Sequence, residues 1–122
     1  MYKKYDIVYV RDWGRGIGSM QNFGRPAVVL QNDKGNTFSN TTIVAFITSK
    51  LKRLDIPTHV ILEGYNLWKP SMLLLEQIAT VPKELIDKKL DHLREEDIKR
   101  VNEALDVSLD RGNTGGYFSC KK

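Results

Sequence analysis

The order of apolar and polar positions divides the chain into short strands followed by one long helix. Residues 5–11 alternate, with Ile7 and Tyr9 against Val8 and Val10, all β-branched or aromatic, which predicts a strand. Residues 12–24 hold Gly14, Gly16, Gly18 and Gly24 among polar side chains. That is too much glycine for a strand or helix interior and predicts a long mobile loop. Loops of this length in small domains tend to carry function. A buried-type strand follows over 26–31, with Ala27, Val28, Val29 and Leu30 in succession. Asp33, Gly35, Asn36 and Asn40 mark 32–41 as a turn-rich connection. Residues 42–48 and 58–62 predict two more strands, 63–70 a turn segment, and 71–75 with 77–81 one or two further strands.

After Pro82 the pattern changes. Residues 85–93 read as a short helical or mixed connection. Over 95–109 the apolar residues Ile98, Val101, Leu105 and Leu109 recur every three or four positions, one face of an amphipathic helix. Glu95, Glu96 and Asp97 occupy its first turn, where the helix dipole favours negative charge. Arg94 is a poor N-cap, and Asp91 is the alternative, which would start the helix about a turn earlier. Residues 110–122 have no apolar period and are expected to form a disordered tail. The expected fold is mainly β with α: a small, strongly bent antiparallel sheet or barrel with a helix packed on it, one domain over 1–110 and a tail over 111–122.

Composition narrows the classes. The 122 residues allow one core, and the 41% apolar content leaves surface that dimerisation would cover. The longest apolar runs, 43–47 and 72–75, are far short of the roughly 20 residues of a membrane span. No apolar segment follows the N-terminal Lys-Lys pair, so no secretory signal is expected. Cys120 is the only cysteine, which excludes an internal disulfide and a cysteine-cluster zinc site, and a cytoplasmic protein is expected. Charge is uneven: residues 1–82 carry a net +4, 83–110 a net −3 and 111–122 a net +3. A basic body with an acidic segment points to a polyanion on the first part, or to an ordinary mixed surface; the acidic segment reads as the solvent face of the helical part.

The chain has no phosphate-loop motif and no His-Glu-x-x-His. His59 and His92 are its only histidines and lie far apart, so no dedicated histidine metal site is expected. The polar residues at strand ends are more informative. Arg25 opens a buried strand and precedes Pro26, which restricts it to extended conformations. Thr48 closes the strand that contains Ile43 to Ile47, and Glu76 and Gln77 interrupt an apolar run. Polar groups so placed either find internal partners or face a site. The internal alternatives are an Arg25–Glu76 ion pair, a turn bond for Thr48 and a satisfied core amide for Gln77.

These same residues sit in recognisable motifs. Gly24-Arg25-Pro26-Ala27-Val28-Val29-Leu30-Gln31-Asn32-Asp33 resembles the G-x-RP-hydrophobic-QND segment of the MazF/PemK toxin family. The run TIVAFITSK over 42–50, Ile56-Pro57-Thr58-His59-Val60, and Leu74-Leu75-Glu76-Gln77-Ile78 resemble three further signatures of that family, in order and at matching spacing. The resemblance covers about residues 4–109.

The resemblance implies an SH3-like β-barrel of the CcdB/MazF/PemK type that works as a homodimer. It implies an endoribonuclease, an mRNA interferase that cuts single-stranded mRNA at short sequences without metal or cofactor and leaves a 2′,3′-cyclic phosphate. A cognate, MazE-like antitoxin would bind the dimer and block the RNA groove. It assigns Arg25 and Thr48 as the catalytic pair and Ser19 and Gln77 as RNA-holding residues. Chemically, a guanidinium can grip two phosphate oxygens but is a poor general base, so Arg25 fits a clamp and proton donor. The base stays open, with Glu76 and His59 as supporting candidates. The loop around 14–23 is expected to gate the groove. Trp13, Phe23, Trp68 and Tyr65 are candidates for base stacking, with Phe23 and Trp13 favoured beside Arg11 and Arg15. Lys50, with Lys52 and Arg53, offers positive charge after Thr48 or simply a solvated turn. The alternatives to an RNA-cutting toxin are a non-catalytic toxin of the same architecture that binds a topoisomerase or another protein, and an inactive RNA-binding module.

Overall fold

A computed structural model describes residues 2–11, 24–51 and 53–111. Six antiparallel strands are joined in the order β4-β5-β3-β2-β1-β6. They are β1 (Asp6–Val10), β2 (Arg25–Val29), β3 (Thr41–Thr48), β4 (His59–Leu62), β5 (Ser71–Pro82) and β6 (Ile86–His92). A short helix α1 (Asp33–Phe38) links β2 to β3, and α2 (Glu95–Leu109) follows β6. No helix among the described residues is long and apolar enough to cross a membrane.

The alternation of β1, β2 and β3 feeds two cores, because the bent sheet buries both of its faces. Ile7 pairs with Val28, and Val28 with Ala45, on one face. There they meet Leu62, Leu73, Leu75 and the buried α2 residues Val101, Ala104 and Leu105. Val8 pairs with Ala27, and Ala27 with Phe46, on the other, where Val29, Val44, Val81 and Ile86 complete a second cluster. β1 is therefore buried on both sides.

β5 is a single twelve-residue strand with a corner inside it. Its pairing with β3 runs from Thr41↔Pro82 to Ala45↔Ile78 and resumes at Ile47↔Leu73. Two steps on β3 thus face five on β5, and the surplus bends the strand so that its first part can pair with β4. Glu76 and Gln77 lie in this corner, which is why they interrupt the apolar run.

Two expectations are corrected. Residues 86–92 form an edge strand, not a short helical or mixed connection. Its pairing with β1 slips twice, between Ile7 and Val8 and between Tyr9 and Val10. The slips break the period of two, and Asp87, Lys88 and Lys89 are exposed, so the remaining apolar pair Ile86 and Leu90 mimics helical spacing. The connection over 32–41 contains α1, made by a local cap rather than by periodicity: the Gly35 amide donates to Asn32 Oδ1 at 2.7 Å. The helix in turn seats Asn36 in the interior, where its Oδ1 accepts from Thr42 Oγ1 at 2.6 Å and its Nδ2 donates to the Gln31 carbonyl.

The segment between β4 and β5 spans the open side of the sheet to reach β6. The Asn66 amide donates to Asp91 Oδ2 at 2.8 Å, and Asn66 Nδ2 to the Leu90 carbonyl at 3.2 Å. Tyr65 is buried, its hydroxyl donating to Asp97 Oδ2 at 2.6 Å and accepting from the Arg94 amide at 2.8 Å. Helix α2 does start at Glu95, with Arg94 as an N-cap that makes no side-chain cap bond. Asp91 does not cap it, being committed to Asn66. The Arg94 side chain instead reaches back to the Glu63 and Gly64 carbonyls and lies 4.1 Å from the Tyr65 ring centre.

Candidate functional site

Arg25 and Thr48 meet at one end of the β2–β3 pair. Ladder pairing between these strands stops at Ala27–Phe46, because Pro26 has no N–H to continue it. Beyond that point the Ile47 carbonyl accepts from Arg25 Nη2 at 3.2 Å. The guanidinium also lies 5.2 Å from the centre of the buried Phe46 ring. Burial holds the Arg25 pKa below its usual value, since removal from water disfavours the charged form.

Thr48 lies two residues beyond Phe46 at the end of β3. Its Oγ1 accepts from the Lys50 amide at 3.2 Å. That is the turn bond named as the internal alternative for Thr48, and it leaves the hydroxyl proton free to donate. Arg25 and Thr48 line one cleft of about 260 Å³ together with Pro26, Leu67, Trp68 and Lys69. Among the described residues that line it there is no carboxylate and no imidazole. The cleft therefore presents cations, hydroxyls and an aromatic surface, a combination suited to a phosphodiester with a base attached.

Glu76 and His59 are not part of this cleft. Glu76 Oε2 lies 2.9 Å from His59 Nε2, and its Oε1 accepts from Thr58 Oγ1 at 2.9 Å. His59 Nδ1 faces the Arg53 carbonyl at 2.9 Å. The alternative of an Arg25–Glu76 ion pair does not form, since Glu76 is taken up by His59 and Thr58. Burial works to raise the Glu76 pKa, but the hydrogen bonds to His59, to its own backbone amide and to Thr58 together outweigh it, and the carboxyl is held below its usual value. Thr48 pairs with Met72, and Glu76 lies four residues further along β5, about 13 Å of extended chain.

Gln77 is not a satisfied core amide: its Oε1 is buried and has no hydrogen-bond partner in the described structure. Lys50 is exposed. Tyr65, read as a stacking candidate, is instead an interior anchor, whereas Trp68 is exposed. Ser19, Phe23, Trp13, Arg15 and Lys52 lie outside the described residues, as do the loop over 12–23 and the tail over 112–122.

Phe46 is the site residue that the sequence reading passed over. The available signal was its spacing of two from Thr48, which places both on one face of β3. Gly24 has a similar local reason: a Cβ there would come within 2.5 Å of the Tyr9 ring, so only glycine lets Tyr9 pack beside the entry to β2.

The chain is 46% identical over 104 residues to Endoribonuclease MazF of Staphylococcus saprophyticus, covering 84% of this chain and 87% of that one. It is 42% identical over 111 residues to Endoribonuclease EndoA of Bacillus subtilis, covering 89% and 96%. Among solved structures, a mycobacterial endoribonuclease in complex with its cognate antitoxin superposes with a TM-score of 0.76 at 18% identity, over 92% of this chain and 98% of the other, and so shares the fold. Residues 3–109 match the family described as PemK-like, MazF-like toxins of type II toxin–antitoxin systems, and the chain belongs to that family.

Proposed function

We propose that this protein is a toxin endoribonuclease that cuts single-stranded mRNA at short sequences in the cytoplasm, through its 1–110 domain. It does so without a metal and leaves 2′,3′-cyclic phosphate ends. The observation that carries the reading is the convergence of Arg25 and Thr48 on one cleft. The names of the two relatives point to the same activity.

In this reaction the ribose 2′-oxygen attacks the adjacent phosphorus and forms the cyclic ester as the bond to the 5′-oxygen breaks. The 2′ proton leaves to a base, and a proton is delivered to the departing 5′-oxygen. Arg25 holds the non-bridging oxygens and neutralises the charge that grows on them. Its contacts with Phe46 and the Ile47 carbonyl fix its direction before RNA arrives. A guanidinium with a lowered pKa also gives up a proton more readily, which suits delivery to the 5′-oxygen. The Thr48 hydroxyl donates to the same phosphoryl group. Ser19, Gln77, Phe23 and Lys50 hold the RNA. His59 and Glu76 support the corner of β5.

The working unit is a homodimer, neutralised by a cognate antitoxin over the same groove; the mycobacterial relative was solved with its own antitoxin. The test is incubation with a long single-stranded RNA in EDTA, with product ends weighed by mass spectrometry. Discrete cuts with cyclic phosphate ends are expected, lowered on the order of a hundredfold or more by Arg25→Ala or Thr48→Ala in folded protein. Intact but retarded RNA would instead identify an RNA-binding module. No effect on RNA at all would identify a toxin aimed at a protein. Parental rates in both variants would remove the site assignment.

A further inference from the structure

The indole of Trp68 is completely exposed, at 101% of its reference accessibility, the most open large apolar side chain among the described residues. A lone exposed aromatic is ordinary. This one stands where two clefts meet. One is the Arg25–Thr48 cleft. The other, of about 290 Å³, is lined by Tyr9, Asn66, Asp87, Lys88 and Leu90. Pro26, Leu67 and Trp68 line both, so the two form one groove with the indole at its waist.

The chain that leads to Trp68 is anchored. Tyr65 is anchored to Asp97 and Arg94, and Asn66 to Asp91. The Leu67 amide bonds back to the Tyr65 carbonyl at 2.6 Å, a tight turn that lifts the next residue out of the surface. A segment so firmly tied at its root would be able to bury a tryptophan, yet this one presents it.

The chemistry of the groove names its occupant. Its floor is apolar (Pro26, Leu67, Leu90), and positive charge lies along it at Arg25, Lys69 and Lys88, with Asp87 as the one carboxylate among the described lining residues. A flat apolar group attached to an anionic backbone fits that pattern. Resting on the reading of the Arg25–Thr48 cleft as an RNA-cutting site, we propose that Trp68 stacks the nucleobase beside the scissile phosphodiester. The next nucleotide then lies in the Tyr9–Lys88 cleft, with Lys69 and Lys88 on its phosphates. Aromatic stacking of this kind contributes enough per base to dominate local affinity for a single strand.

The chain has two tryptophans, so Trp13→Phe leaves Trp68 as the only one. In that protein the fluorescence of Trp68 is followed against a single-stranded RNA carrying 2′-O-methyl groups, which cannot be cut. Saturable quenching is expected, and Trp68→Ala in the natural background should weaken binding roughly tenfold or more, with Trp68→Phe recovering most of it. On cleavable RNA the Ala variant should raise KM and leave kcat within a few fold. Scanning the oligonucleotide with abasic sites should find one position where losing the base weakens the parent but not Trp68→Ala. Equal losses in parent and variant at every position, unchanged binding by Trp68→Ala, or loss of antitoxin binding alone would each overturn the proposal. Failure of the parent to cut any RNA would instead overturn the underlying function, so the two failures are distinct.

Discussion

Arg25 lies beyond the end of the β2–β3 ladder, at the point where Ile47 needs a partner: its Nη2 donates to the Ile47 carbonyl at 3.2 Å. The bond joins the first residue of β2 to the strand that carries Thr48, and it sets the direction of the guanidinium. Phe46 completes the seat from the interior side. Binding energy need not then be used to order a long flexible side chain, which is how a preorganised clamp raises the rate of the chemical step.

Phe46→Leu should keep the apolar contact but lose the ring face under Arg25. We expect kcat for RNA cleavage to fall several-fold with KM little changed, and stability to fall by about 1 kcal/mol. Steady-state cleavage of a short RNA together with urea unfolding measures both. A kcat equal to the parent's would show that the ring does not orient Arg25.

Tyr65→Phe removes a hydroxyl that donates to Asp97 and accepts from the Arg94 amide. It leaves a buried carboxylate short of a donor, at a cost of about 1–3 kcal/mol. The pH dependence has a definite sign. Burial, with the Asp97 hydrogen bond, pushes the Tyr65 pKa up to about 12 from an ordinary 10.0. The stability linked to the neutral phenol is therefore complete below pH 10 and lost as pH rises toward 12. Thermal melts across this range should show a decline in the parent that is absent from the Phe variant.

Asp6 behaves in the opposite sense. Burial works to raise its pKa, but the hydrogen bond from His92 at 2.7 Å, the Lys3 amide and the charge of Lys89 outweigh it, and the carboxyl stays below its usual value. Its contribution is present above the ordinary carboxylate pKa and is lost as pH falls through the lowered one. Asp6→Asn should lower the melting temperature near neutrality, and the gap to the parent should close in acid below about pH 4. A gap that stays constant with pH would show that packing rather than charge is lost.

Gly24→Ala places a methyl group within 2.5 Å of the Tyr9 ring. The ring must swing away, and because Tyr9 lines the second cleft the change should reach RNA binding as well as stability. A cost of about 1–3 kcal/mol is expected, with partial recovery in a Gly24→Ala/Tyr9→Leu double variant. Denaturant unfolding of the four proteins gives the coupling; strict additivity would show that the two residues do not meet.

The strands over 6–10, 25–29, 41–48 and 59–62 and the helix over 95–109 follow from period and branching in the sequence itself, because each buries a regular stripe or run of apolar residues. Arg25 and Thr48 were also legible there, as polar residues at the mouths of apolar strands and as parts of the family motifs. Only the tertiary structure decided the rest. The slips of β6 against β1 erased its alternation, so its pairing partner, not its own pattern, made it a strand. The surplus on β5 sent Glu76 to His59 instead of Arg25, because a bend in the ladder decides which side chains share a face. Tyr65 and Trp68, two aromatics three residues apart, read alike in sequence. One found Asp97 and Arg94 inside the fold and the other found nothing above it, because burial is set by what other segments bring to a residue.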